Sequence, residues 1–351
     1  MVPDLSEKRK EQLSTRQKAV LTKQGYRLVG DHSSVKICEW TKKSLRGQGN
    51  CYKYVFYGIR SHQCLQMTSS MYCASRCKFC WRGEKAPVGS KWYGPINDPD
   101  FIIENSIKEH KKLLAGFGSN KNTTDKQRKE AKNVRHVALS LTGEPITYPR
   151  MNELLKKFHK QKISTFVVTN AQFPEAIEAI DDVTQLYLSI DAATKEKLKE
   201  IDRPLFKDFW EKMNKSLDIL KTRKYRTCIR LTMIKGENTS DFEEYAKLIE
   251  KGQPDFIELK SYVWVGASQK SYEVKNMPYM QDMKSFTDEI LKFIPDYEYL
   301  ESHVPSRAVL LGKKSLNKKH WINFPKFFDL VNSGKDYITE DYSEVSIQPN
   351  E

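Results

Sequence analysis

The 351-residue sequence has no apolar run approaching the ~20 residues that cross a bilayer, which argues against a helical membrane protein. Its first thirty residues carry basic groups but lack the apolar stretch and small-residue cleavage site of a secretory leader. A soluble, cytoplasmic protein is expected. No internal repeat or coiled-coil heptad is present, so solenoids and fibres are set aside. Nor are the cysteines spread evenly, as a disulfide framework would require. Six of the seven (Cys38, Cys51, Cys64, Cys73, Cys77 and Cys80) fall within 43 residues, and Cys228 stands apart. In a reducing compartment such clustering favours metal ligation. Cys228, inside a candidate strand, is expected to be buried and inert.

Acidic residues are outnumbered. The formal charge is +14, and residues 1–62 hold 13 Lys/Arg against 5 Asp/Glu. A basic surface attracts phosphate polyanions, which points to nucleic acid. The competing reading is a solvated helix face, as in the run Glu7 to Lys10.

With 39% hydrophobic and 30% charged residues, the chain is long enough for one large domain with extensions. Residues 1–30 read as a charged helix broken at Gly25-Tyr26, and 31–66 as a Cys-containing lead-in with little helical period. Short apolar strands then alternate with amphipathic helices. Strands are expected at 65–72, 135–141, 163–169, 184–190, 226–233 and 255–265, with helices at 102–115, 151–160, 206–222 and 240–252. The expected fold is α/β, a partial TIM-like barrel of (β/α)6 type with an N-terminal Cys-rich extension and a C-terminal extension, divided as 1–64, 65–300 and 301–351. Residues 83–100 and 116–133 read as polar insertions, the second mobile, and 338–351 as a frayed acidic tail.

Cys73-Ala-Ser-Arg-Cys77-Lys-Phe-Cys80 directly follows the first candidate strand, at a barrel mouth. Three thiolates bind three irons of a [4Fe–4S] cube and leave the fourth open for the amino and carboxylate groups of S-adenosylmethionine (SAM). The alternatives are a structural zinc site short of one ligand and a ferredoxin-like site completed by another cysteine. Zinc sites favour paired CxxC knuckles, whereas these gaps are three and two. Phe79 can pack near an adenine. Thr142-Gly143-Glu144-Pro145 ends the second strand, where a Gly turn with a carboxylate can accept from an ammonium; alone, it reads as an ordinary turn. Asn170 closes the third strand, and Ser189 with Asp191 the fourth, where polar groups reach a ribose or carboxylate. Cys38, Cys51 and Cys64 are spaced by twelve and twelve residues, and a second [4Fe–4S] cluster there could bind a second substrate as a Lewis acid.

The segments 35–82, 141–150 (LTGEPITYPR), 167–174 (VVTNAQFP), 187–192 (YLSIDA), 257–266 (IELKSYVWVG) and 303–314 (HVPSRAVLLGKK) resemble the radical SAM tRNA 4-demethylwyosine synthases across about 30–330. The resemblance implies a carbon–carbon lyase that joins N1-methylguanine, 3′ of the anticodon of tRNA(Phe), to two carbons of pyruvate. It implies two [4Fe–4S] clusters and SAM: Cys73, Cys77 and Cys80 for the SAM cluster, and Cys38, Cys51 and Cys64 for the auxiliary one. Lys53, two positions after Cys51, corresponds to a lysine considered as a Schiff-base partner for pyruvate or as a partner of its carboxylate; a plain surface lysine is the alternative. The target base would be flipped into the barrel mouth. Trp40, Lys42, Lys43, Arg46, Tyr57, Arg60, Trp81 and Arg82 are candidates to stack on bases or meet phosphates. Eukaryotic members carry an N-terminal flavodoxin-like domain that does not fit in residues 1–34, so an external ferredoxin- or flavodoxin-type electron donor is expected, as in the archaeal form. Competing readings are a methylthiotransferase-like two-cluster enzyme and a basic Fe–S or zinc RNA-binding protein.

Overall fold

A computed structural model describes residues 11–82, 86–117 and 120–346. The run Glu7 to Lys10, residues 83–85 and 118–119 of the two insertions, and the last five residues therefore lie outside the described residues.

Six parallel strands form the centre: β3 (Cys64–Thr68), β4 (His136–Leu139), β5 (Ser164–Thr169), β6 (Gln185–Ser189), β7 (Arg226–Met233) and β8 (Phe256–Ser261), after β1 (Arg27–Val29) and β2 (Ser33–Val35). Their spatial order follows the chain without reversal. Every crossover therefore winds the same way, and the sheet curls as in a barrel rather than reversing as in a doubly wound sheet. Antiparallel strands extend both edges, β2 and β1 beside β3, then β10 (Ala308–Lys313) and β9 (Tyr297–His303) beside β8, giving ten strands. The outermost strands do not pair, so the barrel is partial.

Runs such as HVAL in β4 are buried at every position, as expected for parallel strands covered on both faces. The outer helices present one apolar stripe each. In Met151–Lys160 the buried Met151, Leu154, Leu155 and Phe158 follow the i, i+3, i+4, i+7 spacing. Among the described residues no helix is long and apolar enough to cross a membrane.

Three expectations about the periphery are overturned. The lead-in 31–66 is not poor in helix. After α1 (Thr15–Lys23) it forms α2 (Glu39–Leu45) and α3 (Tyr52–Tyr57), the latter ended by Gly58 in the left-handed region at φ 76°. Residues 116–133 hold a short helix, Asp125–Ala131, whose N-cap Thr124 and Gln127 form a capping box, with Gln127 Nε2 donating to Ser44 O at 3.2 Å. The described part of the C-terminal tail, residues 338–346, is anchored: Tyr342 is fully buried, and Ser343–Glu344 pairs with Trp321–Ile322. Smaller shifts affect boundaries. The first parallel strand stops at Thr68 rather than 72, and the helix expected from 102 begins at Pro99 behind its N-cap Asp98.

The short helix α3 positions the interior. It precedes β3 in sequence, yet its side chains reach the other end of the parallel set. The Tyr52 hydroxyl donates to Glu258 Oε2 at 3.1 Å, and the Tyr57 ring lies 5.8 Å from Phe256, both partners being on β8. The helix thus spans the opening of the partial barrel.

Candidate active site

Beyond β3 the chain enters the loop that carries the first cysteine triad. Backbone bonds pin this loop on two sides: Cys73 N–H donates to Pro87 O (3.2 Å), Arg76 N–H to Asp202 O (2.9 Å) and Lys78 N–H to Ile201 O (2.8 Å). Burial pushes the Cys73 thiol up to about 11 and the Cys77 thiol well above its ordinary value, with Cys80 raising both and Cys73 raising Cys77. Thiols so placed ionise only when a cationic centre holds them, which is the chemistry of an iron–sulfur ligand set. Arg82 stands beside Cys80 and Cys73, with Nη1 donating to Met71 O at 2.9 Å. It also lines the cavity that the triad adjoins.

The triad opens onto a cavity of ≈350 Å³ that Phe79, Gly143, Glu144, Asn170, Ser189 and Asp191 also line. Every sequence-derived SAM candidate is therefore in one chamber. Gly143 has φ 72°, and a Cβ there would stand 2.0 Å from Ser70 O, so only glycine lets the turn approach the loop. The next residue, Glu144, is buried; Oε2 accepts from Asn170 N–H at 3.0 Å, whereas Oε1 has no partner. Burial raises its carboxyl to about 7, against the pull of the Thr169 hydroxyl, the Asn170 amide and Arg82. Asp191 repeats the pattern: Oδ1 is unpartnered, and burial raises the carboxyl to about 6 against the Thr232 hydroxyl and Arg230. Unsatisfied buried acceptors beside a cavity call for donors from a ligand, and an ammonium and a ribose supply them. The donor sets present thus fit a cluster and SAM.

The second triad also gathers, its three thiols acting on one another electrostatically. Cys38 and Cys51 are the N-cap residues of α2 and α3, and Cys64 opens β3. Burial pushes the Cys51 thiol up to about 12 and Cys64 higher still; Cys38 raises both and Cys51 raises Cys64, while Lys53 opposes all three shifts. No disulfide joins any of the seven cysteines. Among the described residues no group of three or more His, Cys, Asp or Glu is placed to hold a single metal ion. Cys228 is fully buried, with its thiol near Ile229 O at 3.5 Å, as expected of an inert core thiol.

Lys53 projects inward from α3. Its Nζ lies 4.1 Å from the Tyr187 ring centre and 5.7 Å from that of Phe166, on β6 and β5. It is not a surface lysine. Of the suggested RNA contacts, Tyr57 is a core residue and Arg60 pairs with Glu130 at 3.3 Å. Trp40 packs edge-on to His303 at 5.2 Å, and Trp81 stacks on Tyr26 at 5.7 Å with the Lys36 ammonium over it at 4.8 Å.

Sequence reasoning missed Arg230 and Lys260, which line the same cavity, and the fully buried Glu258. A signal was present. In IELKS, charged Glu258 and Lys260 alternate with apolar Ile257 and Leu259, and RTCIRLTM places Cys228, Arg230 and Thr232 on one face.

Family models for the radical SAM superfamily and for wyosine base formation match residues 67–249 and 251–313 respectively. The S-adenosyl-L-methionine-dependent tRNA 4-demethylwyosine synthase of Arabidopsis thaliana is 46% identical over 341 residues, covering 95% of this chain and 53% of the relative. The Homo sapiens protein of that name, TYW1, is 43% identical over 321 residues, covering 90% and 44%. The chain thus spans about half the length of the curated relatives it matches. Among solved structures, TYW1 with a lysine-pyruvate adduct bound superposes with a TM-score of 0.79 at 34% identity, covering 90% of this chain and 99% of that one. An archaeal TYW1 crystal structure gives 0.71 at 33% identity, covering 86% and 97%.

Proposed function

We propose, from the premise that this chain belongs to the radical SAM superfamily and within it to the TYW1 family, that it condenses N1-methylguanine, 3′ of the anticodon of tRNA(Phe), with pyruvate to form 4-demethylwyosine. The observation that carries this reading is the position of Lys53 on α3, projecting onto β5 and β6 of the partial barrel and electrostatically coupled to all three cysteines of the second triad.

The superfamily works with SAM and a [4Fe–4S] cluster. Cys73, Cys77 and Cys80 would hold that cluster, and Cys38, Cys51 and Cys64 a second one. When bound, the first would supply the one-electron reduction that cleaves SAM, fed by a ferredoxin- or flavodoxin-type donor. Glu144 Oε1 would accept from the SAM ammonium, Asp191 and Ser189 from its ribose hydroxyls, and Phe79 would pack against its adenine. Lys53 Nζ would attack the pyruvate carbonyl carbon and release water to form an imine. The solved TYW1 with a lysine-pyruvate adduct supports that role. The target base would be flipped into the chamber, since a stacked base does not reach a barrel interior. Net charge +14 supports an RNA partner.

The test is anaerobic incubation of reconstituted protein with SAM, pyruvate and tRNA bearing N1-methylguanine, followed by nucleoside mass spectrometry. The tricyclic base is expected. SAM cleavage without that base would remove the wyosine reading and leave the radical chemistry standing.

A further inference from the structure

The rim of the chamber carries aromatic rings with cations laid on them. The register puts His303, Ala308 and Lys260 in one row across β9, β10 and β8, near the C-terminal end of β8, and Lys260 lines the cavity. Against His303 packs Trp40 of α2, their ring centres 5.2 Å apart, and Lys43 Nζ lies 4.6 Å from the indole centre. Lys260 also has Arg307 as an electrostatic neighbour, whose guanidinium lies 4.9 Å from the centre of the Tyr279 ring. The backbone under this second pair is fixed. Ser261, which lines the cavity, donates its N–H to Arg307 O at 3.0 Å and its hydroxyl to Pro278 O at 2.9 Å, and Tyr279 N–H donates to Asp282 Oδ2 at 2.8 Å. Tyr279 is nevertheless 57% exposed. Arg307 holds a left-handed φ of 48°, where glycine would make the turn at less cost if the turn alone mattered. Among the described residues neither Lys43 nor Arg307 meets a carboxylate, so both charges remain for a polyanion. Ring faces alternating with such cations beside a cavity mouth match a single-stranded nucleic acid site, where rings take bases and cations take the phosphates between them.

We propose that Trp40 with Lys43, and Tyr279 with Arg307, are two stacking platforms for the nucleotides that flank the flipped base, so that the anticodon loop is unstacked on both sides of its target. This deepens the function proposed above and rests on it. Flipping one base leaves each neighbour with a bare face, and the lost stacking is a main cost of the step. A ring held at the rim returns that stacking and keeps the gap in the loop open. A protein partner would seat on contiguous apolar area, whereas each of these rings is topped by a cation.

The test measures binding of an anticodon stem-loop RNA carrying N1-methylguanine to reconstituted holoprotein, by fluorescence anisotropy over a salt series, with iron per chain checked for every variant. Trp40→Ala and Tyr279→Ala should each weaken binding ~10-fold with the salt slope unchanged, as loss of one base–ring stack predicts, and Trp40→Phe and Tyr279→Phe should recover part of it. Lys43→Gln and Arg307→Gln should instead each reduce the slope of log affinity against log salt by about 0.7 to 1. An abasic nucleotide placed on one side of the target should make one of the two Ala substitutions silent, and on the other side the other. Unchanged affinity in both Ala variants overturns the proposal and leaves the rim to a protein partner. Losses that persist in full on both abasic RNAs overturn it too, giving the rings a structural role. If Trp40→Ala loses iron, the Lys43 slope and the Tyr279 coupling decide their own platforms. Wild-type binding no tighter than to a hairpin of another sequence strikes the wyosine reading and takes the platforms with it.

Discussion

Lys53 Nζ stands 4.1 Å from the centre of the Tyr187 ring, inside the barrel and on the helix that Cys51 caps. Lys53→Ala should leave the iron per chain unchanged and lose base formation by at least ~100-fold. Lys53→Arg separates the two roles open to the residue. A guanidinium keeps the charge and the ring contact but forms no imine. Equal loss in both variants is expected; an active Lys53→Arg would leave carboxylate pairing as the role of Lys53.

Acid sensitivity follows from the buried histidines. Burial lowers His110 and His32 to about 4, and His136 and His159 to about 3. A depressed folded-state pKa means that only the unfolded chain takes the proton as pH falls below the ordinary value of 6.5. Their contribution is whole above that value and is lost toward about 4 for His110 and His32 and about 3 for His136 and His159, each histidine adding a slope of about 1.4 kcal/mol per pH unit. His110 is the cleanest probe because neither ring nitrogen has a partner. His110→Leu should stabilise the protein by about 1 kcal/mol at neutral pH and flatten the acid slope by one histidine's share. Urea unfolding near neutral and mildly acidic pH measures both; an unchanged slope would mean His110 titrates alike in both states.

The parallel strands were legible because short Val/Ile/Leu-rich runs between helical periods have few other uses, and β7 runs over the 226–233 expected for it. The lining of the cavity was legible because Gly143 with Glu144, Asn170, and Ser189 with Asp191 sit at strand ends in chain order. Helix α3 was not. YKYVFY is aromatic and β-branched, with local preference for a strand, and contacts with Glu258, Phe256 and Tyr187 decide its state. Arg230 and Lys260 escaped notice for a related reason: alternation tells which residues share a face, but not that the face encloses a cavity.

The acidic tail misled because polar composition hid one buried anchor. The Tyr342 hydroxyl accepts from Arg226 N–H at 2.9 Å and donates to Thr184 O at 3.1 Å, and Asn323 N–H donates to the Tyr342 carbonyl at 2.9 Å. The fully buried Arg226 guanidinium then bonds Ser343 Oγ, His320 O at 2.7 Å and Gln185 Oε1 at 3.1 Å, joining β6, β7 and the C-terminal segment in one network without a carboxylate. Tyr342→Phe leaves two buried backbone groups unpaired and should cost about 1–3 kcal/mol. Tyr342→Ala adds a cavity against Phe327, whose ring lies 5.1 Å away, and should cost about 3–5 kcal/mol. Urea titration of the two variants measures both values. A frayed tail would keep each within about 0.5 kcal/mol of wild type, and that result would detach the segment from the core.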